Sequence, residues 1–287
     1  MIAYNPKDWF GFLLRIHRTE TLRSLLPLLL AVGIYSGLIA YFESTIFSDG
    51  ARRAAGSLAV IYSTLGFMIS LMLVFRTNSA YDRWWEGRKL WGSLVNSTRN
   101  LSLQSALLFR DAPASIRDRA FELIHTFAPA LMHHLRDQRL DSAILLKKGH
   151  QPLQVAQDLR ECIHQAASQR ANSELSVLLL IHSLDEWMNI CGACERIKNT
   201  PIPFIYSVFI KKFVFIYVML FPWVYTPLQG YMVIPVTMLI LYVLASLEII
   251  AEEIENPFNG DANDLPLENL SARISESVAQ AIGHRPV

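Results

Sequence analysis

The segment that decides the fold is residues 54–75, AAGSLAVIYSTLGFMISLMLVF, which contains no Asp, Glu, Lys or Arg. Residues 25–42 and residues 213–247 lack charged side chains in the same way. A helix rises about 1.5 Å per residue, so about 20 apolar residues cross a hydrocarbon core roughly 30 Å thick. The sequence therefore predicts an all-α membrane protein.

The third charge-free segment is too long for one span, and turn-forming residues interrupt it at Pro222, Pro227, Gly230 and Pro235. We interpret it as a hairpin over residues 205–250, with its turn at residues 226–230. The prediction is then four spans, which places both termini on the same side of the membrane. The spans are residues 22–42, 54–75, 205–225 and 231–250.

Basic residues predict which side that is, because cytoplasmic flanks are enriched in Lys and Arg. Such residues cluster before the first span, after the second and before the third, whereas the first external loop holds only Arg52 and Arg53. Three segments are therefore predicted to be cytoplasmic. They are residues 1–21, 76–204 and 251–287. Residues 76–204 show no alternating strand pattern, so we expect them to form a helical bundle.

The remaining composition narrows the possible chemistry. With 26 Lys and Arg against 25 Asp and Glu, the net charge of +1 argues against nucleic acid as a partner. An odd number of cysteines gives no disulfide framework. Cys191 and Cys194 have the spacing of a redox or zinc pair, but no second pair follows. We interpret them as buried structural residues.

Enzyme motifs are also missing from the sequence. It contains no Gly-rich phosphate loop, no His-Glu-x-x-His and no Gly-x-Ser-x-Gly, so we do not expect an enzyme. His133 and His134 are adjacent and point to different faces of a helix, which favours a solvated rim over a metal site. His182, which follows an apolar run, is expected to be a packing residue.

Three large apolar residues share one face of the second span: Phe67, Leu71 and Phe75. If several copies of this helix surround an axis, these side chains form stacked rings that can block ions by dewetting. The alternative is ordinary helix packing, which the small residues of the segment allow. Spacing alone leaves both interpretations open.

Oxygen-bearing side chains crowd residues 248–265, after the fourth span. Carboxylate and amide oxygens are the ligands that Ca²⁺ prefers, but the spacing is not that of the helix–loop–helix calcium motif. The alternative is a helix end followed by a capped acidic turn.

Three motifs, taken in order, carry a resemblance to a known family. FRTNSAYDRWWEGR (residues 75–88) follows the second span, TPIPFIYS (residues 200–207) enters the third, and ENPF (residues 255–258) follows the fourth. Together they resemble the bestrophin family, and its bacterial members most closely.

The resemblance implies a homopentameric ion channel in the bacterial inner membrane, with the second span lining one axial pore. Its hydrophobic neck then falls on Phe67, Leu71 and Phe75, and its narrow cytoplasmic exit on Ile202. The implied partners are permeating inorganic ions and the lipid bilayer, and no cofactor is required.

The resemblance to animal bestrophins also implies a possible cation site. Asn256, Asp261 and Asp264 match positions of their calcium clasp, while Glu253 stands where an amide is usual. The continuous acidic run of the animal proteins is interrupted here by Gly260, Ala262 and Asn263. This interruption argues against calcium dependence, which the sequence leaves undecided together with the identity of any bound metal and the sign of the permeating ion.

Two other functions are compatible with the residues. One is a non-conducting membrane scaffold or regulatory subunit that binds a partner through its cytoplasmic helices. The other is a membrane enzyme that uses the Cys191 and Cys194 pair or the acidic segment.

Overall fold

The computed structural model describes residues 20–46, 49–142, 144–145, 149–169, 174–261 and 263–282. Every regular element within these residues is helical, which confirms the all-α prediction. The helices are α1 (Glu20–Ile46), α2 (Asp49–Leu108), α3 (Ala114–Leu135), α4 (Gln151–Ala167), α5 (Glu174–Asn199), α6 (Phe204–Gln229), α7 (Val233–Glu255) and α8 (Leu267–Ile282). Single 3₁₀ turns, Phe109–Asp111 and Gly230–Met232, follow α2 and α6.

The chain divides into two compact units. The apolar unit contains the described residues of Ile2–Asp82 together with Ile202–Glu255. The bundle unit contains the described residues of Arg83–Pro201 and Asn256–Val287. Helix α2 is continuous for 60 residues and contributes to both units.

Among the residues that the structure describes, three segments are long and apolar enough to cross a membrane: Leu22–Thr45, Leu58–Asp111 and Phe204–Glu255. The third contains α6 and α7, which pack against each other with the Gly230–Met232 turn between them. A two-helix arrangement is what the hairpin interpretation requires. The number of membrane crossings stays a prediction.

The sequence predicted a turn at residues 226–230, but helix α6 occupies all of these positions except Gly230. It continues through Pro222 and Pro227 to Gln229, and the chain leaves the helix only at Gly230, whose φ is +57°. The hydroxyl of Thr226 donates to the Pro222 carbonyl at 2.6 Å. Side-chain hydroxyls of this kind help an apolar helix to accommodate proline, so these prolines do not end the helix.

In the apolar unit, α1, α2, α6 and α7 share an apolar core. Leu29, Leu73, Val218 and Leu241 come from these four helices in turn, and each is less than a tenth exposed. Nearer the Gly230–Met232 turn, the Tyr62 hydroxyl donates to a carbonyl of α6. Its ring stacks on a tyrosine of the same helix with centroids 4.3 Å apart. This core fixes one face of α2.

The bundle unit has a larger core, formed by the second half of α2 and helices α3, α4, α5 and α8. Trp91 and Trp187 are fully buried in it, and the ring of Phe127 stacks on Trp187 with centroids 4.2 Å apart. The guanidinium of Arg83 donates to the carbonyls of Ile197 and Thr200, where α5 ends. This core therefore fixes the helices of the predicted cytoplasmic section.

Substitution of Gly87 by Ala tests the packing of α2 in the bundle unit. A Cβ at Gly87 would lie 3.2 Å from Phe258 and Pro257, whereas a Cβ at Gly92 would meet only the mobile end of Arg88 at 3.4 Å. Overpacking costs about 1–3 kcal/mol. Ala without a clash gains up to about 1 kcal/mol over Gly in a helix. We therefore expect Gly87→Ala to lower the melting temperature in detergent and Gly92→Ala to maintain or raise it. Equal melting temperatures would contradict the close contact at Gly87.

Candidate functional site

The apolar half of α2 has two different faces. Its buried face carries Tyr62, Ile69, Leu73, Arg76 and Ala80. The three residues predicted to form rings lie on the opposite side of the same helix, with Phe67 70%, Leu71 45% and Phe75 57% exposed. The structure thus places the three side chains on one exposed face, and their role in a pore stays a prediction.

This helix is also the least covered of the three candidate spans. In the most apolar part of this segment, 17% is buried within the chain, compared with 33% in Leu22–Thr45 and 22% in Phe204–Glu255. Most of its surface is therefore left for contacts outside the chain. Those contacts can be with lipid, with another subunit or with the water of a pore.

Hydroxyl side chains beside the exposed face are occupied within the helix itself. Ser63 and Thr64 donate to the Val60 carbonyl, and Ser70 donates to the Gly66 carbonyl at 2.9 Å. A hydroxyl that donates to its own helix offers water only its lone pairs. The face consequently behaves as more apolar than its composition suggests.

Arg76, the first charged residue after Phe75, turns to the buried face and is 1% exposed. Its Nη2 lies 2.6 Å from Oε2 of Glu255, and its Nε lies 3.7 Å from Oε1 of Glu248. A buried guanidinium requires such a partner because removal from water costs several kcal/mol per ion. Glu255 therefore joins the end of α7 to α2.

The same carboxylate holds the residue predicted to form the exit. The backbone N–H of Ile202 donates to Oε1 of Glu255 at 2.6 Å. Ile202 is half-buried, and Pro203 next to it is the N-cap of α6. One side chain thus positions both the helix that carries Phe75 and the backbone of Ile202.

Sequence reasoning did not identify Glu255 as a positioning residue. It lies 179 residues from Arg76 and 53 residues from Ile202, so no local pattern connects them. Its place at the start of the ENPF motif was the only signal in the sequence.

The predicted cation segment is divided between the units. Glu253 lies half-buried in α7, whereas Asn256, Asp261 and Asp264 belong to the bundle unit. Asp264 is 1% exposed, and its Oδ2 accepts the N–H groups of Gly260 and Asp261 at 2.7 and 2.9 Å. This arrangement closes the loop on itself and fits a structural role better than calcium ligation. The cation site stays a prediction.

A different group of side chains has the geometry of metal ligands. His134, His150 and Glu195 place their ligand atoms within 4.8 Å of one another. The side chain of His134 is 30% exposed, and its partner Glu195 comes from another helix and not from the neighbouring histidine, a contact that the expectation of a solvated rim did not include. His182, expected to be a packing residue, is exposed, with Nε2 3.8 Å from Glu186.

The cysteine pair lies inside the core of the bundle unit. Cys191 and Cys194 are free and fully buried in the core of the bundle unit. Burial raises the pKa of the Cys191 thiol to about 12, and the charge of Glu195 adds to the shift. Both thiols are therefore protonated at neutral pH, in agreement with their interpretation as structural residues.

Known proteins resemble this chain along most of its length. A family profile described as bacterial/fungal bestrophin protein matches residues 1–280. A voltage-dependent anion channel-forming protein of a Nostoc strain is 34% identical, with 74% of this chain and 73% of the relative covered. A protein of the same description from Mesorhizobium japonicum is 31% identical, with 98% and 92% covered. The crystal structure of a bacterial bestrophin homologue from Klebsiella pneumoniae matches with a TM-score of 0.76 at 26% identity, with 90% and 98% covered.

The role of Glu255 can be tested against a carboxylate one turn away. Glu255→Gln removes the nearer of the two carboxylates beside the buried Arg76 guanidinium. Loss of the partner of a buried charge typically costs about 3–5 kcal/mol, and Glu248 offsets part of that cost. Glu252 pairs with Lys211 at 2.8 Å where both side chains are about half exposed, and such pairs contribute at most about 1 kcal/mol. We expect the melting temperature in detergent to fall clearly for Glu255→Gln and hardly at all for Glu252→Gln. Equal effects would show that Glu255 does not hold Arg76.

Proposed function

Because the chain belongs to the bacterial and fungal bestrophin family, we propose that it is the subunit of a homopentameric membrane channel that conducts small inorganic anions passively. The observation that carries the proposal is its similarity to relatives named voltage-dependent anion channel-forming proteins, which covers 73% to 92% of their length. The membrane-spanning lengths of its apolar segments support the location.

In this proposal the exposed face of α2 lines the pore. One chain cannot enclose an axis, so the rings of Phe67, Leu71 and Phe75 form only when several copies assemble. The low burial of this helix within the chain supports such an assembly. Phe204 and Ile205, 79% and 82% exposed beside Ile202, offer further apolar surface that a neighbouring subunit can cover.

The proposed mechanism is a dewetting barrier. An ion that enters the neck meets apolar side chains that cannot replace its hydration shell, so the free energy of the passage depends on the width of the rings. The ion then leaves past Ile202, whose backbone Glu255 holds in place. No covalent step occurs, and no cofactor or metal is required. Apolar rings do not select the sign of an ion, so anion selectivity depends on charges elsewhere along the pathway.

The proposed topology is four spans in the bacterial inner membrane, with both termini cytoplasmic. Basic residues near the ends of the apolar segments support it, in particular Arg23 at the start of the first and Lys211 and Lys212 near the start of the third. The bundle unit then forms the cytoplasmic part of the pathway.

Replacement of Phe67, Leu71 and Phe75 together by Ala tests the neck. All three side chains are exposed within the chain, so their removal leaves no cavity in its core. A wider, wetter neck lowers the barrier. A free-energy barrier that is lower by about 1.4 kcal/mol raises the rate of ion passage roughly tenfold. We expect single-channel conductance in planar bilayers to increase by about that factor.

A matched control removes equally exposed apolar side chains from another helix. Phe215, Ile216 and Leu220 lie on α6 and are 54%, 53% and 46% exposed. Their replacement by Ala is expected to leave conductance unchanged. An assembled pentamer whose current is unaffected by the α2 substitutions would contradict the neck assignment, and absence of any current from the wild-type protein would favour the scaffold function.

A further inference from the structure

Three side chains from separate helical regions converge in the bundle unit. His134 lies in the last turn of α3, His150 is the residue before α4, and Glu195 lies near the end of α5. Oε1 of Glu195 is 2.6 Å from Nε2 of His134 and 2.7 Å from Nε2 of His150. The two imidazole centroids are 4.2 Å apart. Both rings therefore direct the same nitrogen to one carboxylate oxygen.

The donor set is typical of a transition-metal site. Imidazole nitrogen and carboxylate oxygen are common zinc ligands, and three protein ligands leave one position for water. The side chains are 30%, 32% and 29% exposed, so an ion can enter from solvent. Within the part of the chain that the structure describes, these three side chains form the group of His, Cys, Asp or Glu residues whose ligand atoms lie close enough to share one metal ion.

A metal-free role for the same residues is a hydrogen-bonded trio. Nδ1 of His150 accepts the N–H of Leu153 at 3.1 Å and caps α4, which places the proton of the neutral ring on Nε2. Burial favours protonation of Glu195, but the hydrogen bonds from both imidazoles outweigh it and hold the pKa of Glu195 below its usual value. The trio is therefore already a stable network around an ionised carboxylate.

Metal binding changes this network in two ways that the geometry allows. Ligands of a tetrahedral zinc ion lie about 3.3 Å apart, given bonds of about 2.0–2.1 Å, so each imidazole nitrogen must move about 0.6–0.7 Å farther from the Glu195 oxygen. Their partial exposure permits that movement. The Nε2 protons of His134 and His150 must also move to Nδ1 of their own rings, and at His150 this releases the N–H of Leu153. Leu153 is 40% exposed at the start of its helix, where water can take over the bond.

We propose that His134, His150 and Glu195 bind a divalent transition ion of the zinc class, with water in the fourth position. The ion joins the end of α3, the start of α4 and the last turns of α5. Its effect is to rigidify the bundle unit, and the site is independent of the proposed pore residues.

The test uses the full-length protein in detergent, stripped with a chelator and titrated with Zn²⁺ alone. Competition with a chromophoric zinc indicator measures affinity and stoichiometry, and thermal unfolding measures stabilisation. We expect one zinc ion per chain and a higher melting temperature with zinc. His150→Asn removes a ligand but keeps a good N-cap residue. It should weaken binding at least about tenfold, which is the lower end of the loss seen for outer-shell partners.

Three further variants make the result decisive. Glu195→Gln should weaken zinc binding as His150→Asn does, and it replaces that variant if the latter does not fold. His182→Asn removes an exposed histidine that has only Glu186 beside it, so affinity should not change. Cys191→Ser should also leave it unchanged. Zinc affinity that is equal in the wild-type protein and in Glu195→Gln, or that falls in His182→Asn or Cys191→Ser, would overturn the proposal. Because no ion current is measured, failure of this site and failure of the channel function are distinguishable.

Discussion

The pairing of one buried charge organises the apolar unit. Arg76 ends the charge-free part of α2, and its guanidinium is almost inaccessible to solvent. A cation in that position is tolerated only with a partner, and Glu255 provides it at 2.6 Å while Glu248 lies nearby. The same Glu255 accepts the backbone N–H of Ile202. The requirement to neutralise Arg76 therefore determines where α2, the end of α7 and the start of α6 meet.

This arrangement explains why α2 can serve two purposes. Arg76 and the core residues Ile69 and Leu73 hold one face against the rest of the apolar unit, which leaves Phe67 and Leu71 free on the other. A helix that is fixed on one side and apolar on the other is suited to the lining of a shared axis. In the proposed channel, the width of the neck and the position of the exit then depend on one ion pair.

The sequence was sufficient for features that recur at short spacing. Charge-free segments predicted the apolar helices, and the interval of four residues from Phe67 to Phe75 predicted their common face. Three motifs in order identified the family, which the comparisons confirm. The predicted turn included Gly230 but began too early, at residue 226, whereas α6 continues to Gln229. Proline signals a turn in water but is accommodated in an apolar helix.

Contacts between distant residues could not be predicted in the same way. Glu195 lies 61 residues from His134 and 45 from His150, and their convergence depends on the packing of α3, α4 and α5. The bridge from Arg76 through Glu255 to Ile202 has the same origin. Adjacent histidines suggested only a rim, since sequence spacing shows which residues share a helix face and not which helices meet.

The central claim, passive conduction of anions, is tested most directly by the reversal potential of the purified protein in planar bilayers under asymmetric KCl. A charge-selective pore brings the current to zero near the equilibrium potential of the ion it conducts. The account predicts a stable current whose reversal potential lies close to that of chloride. A reversal potential close to that of potassium, or no current from an intact assembly, would contradict it.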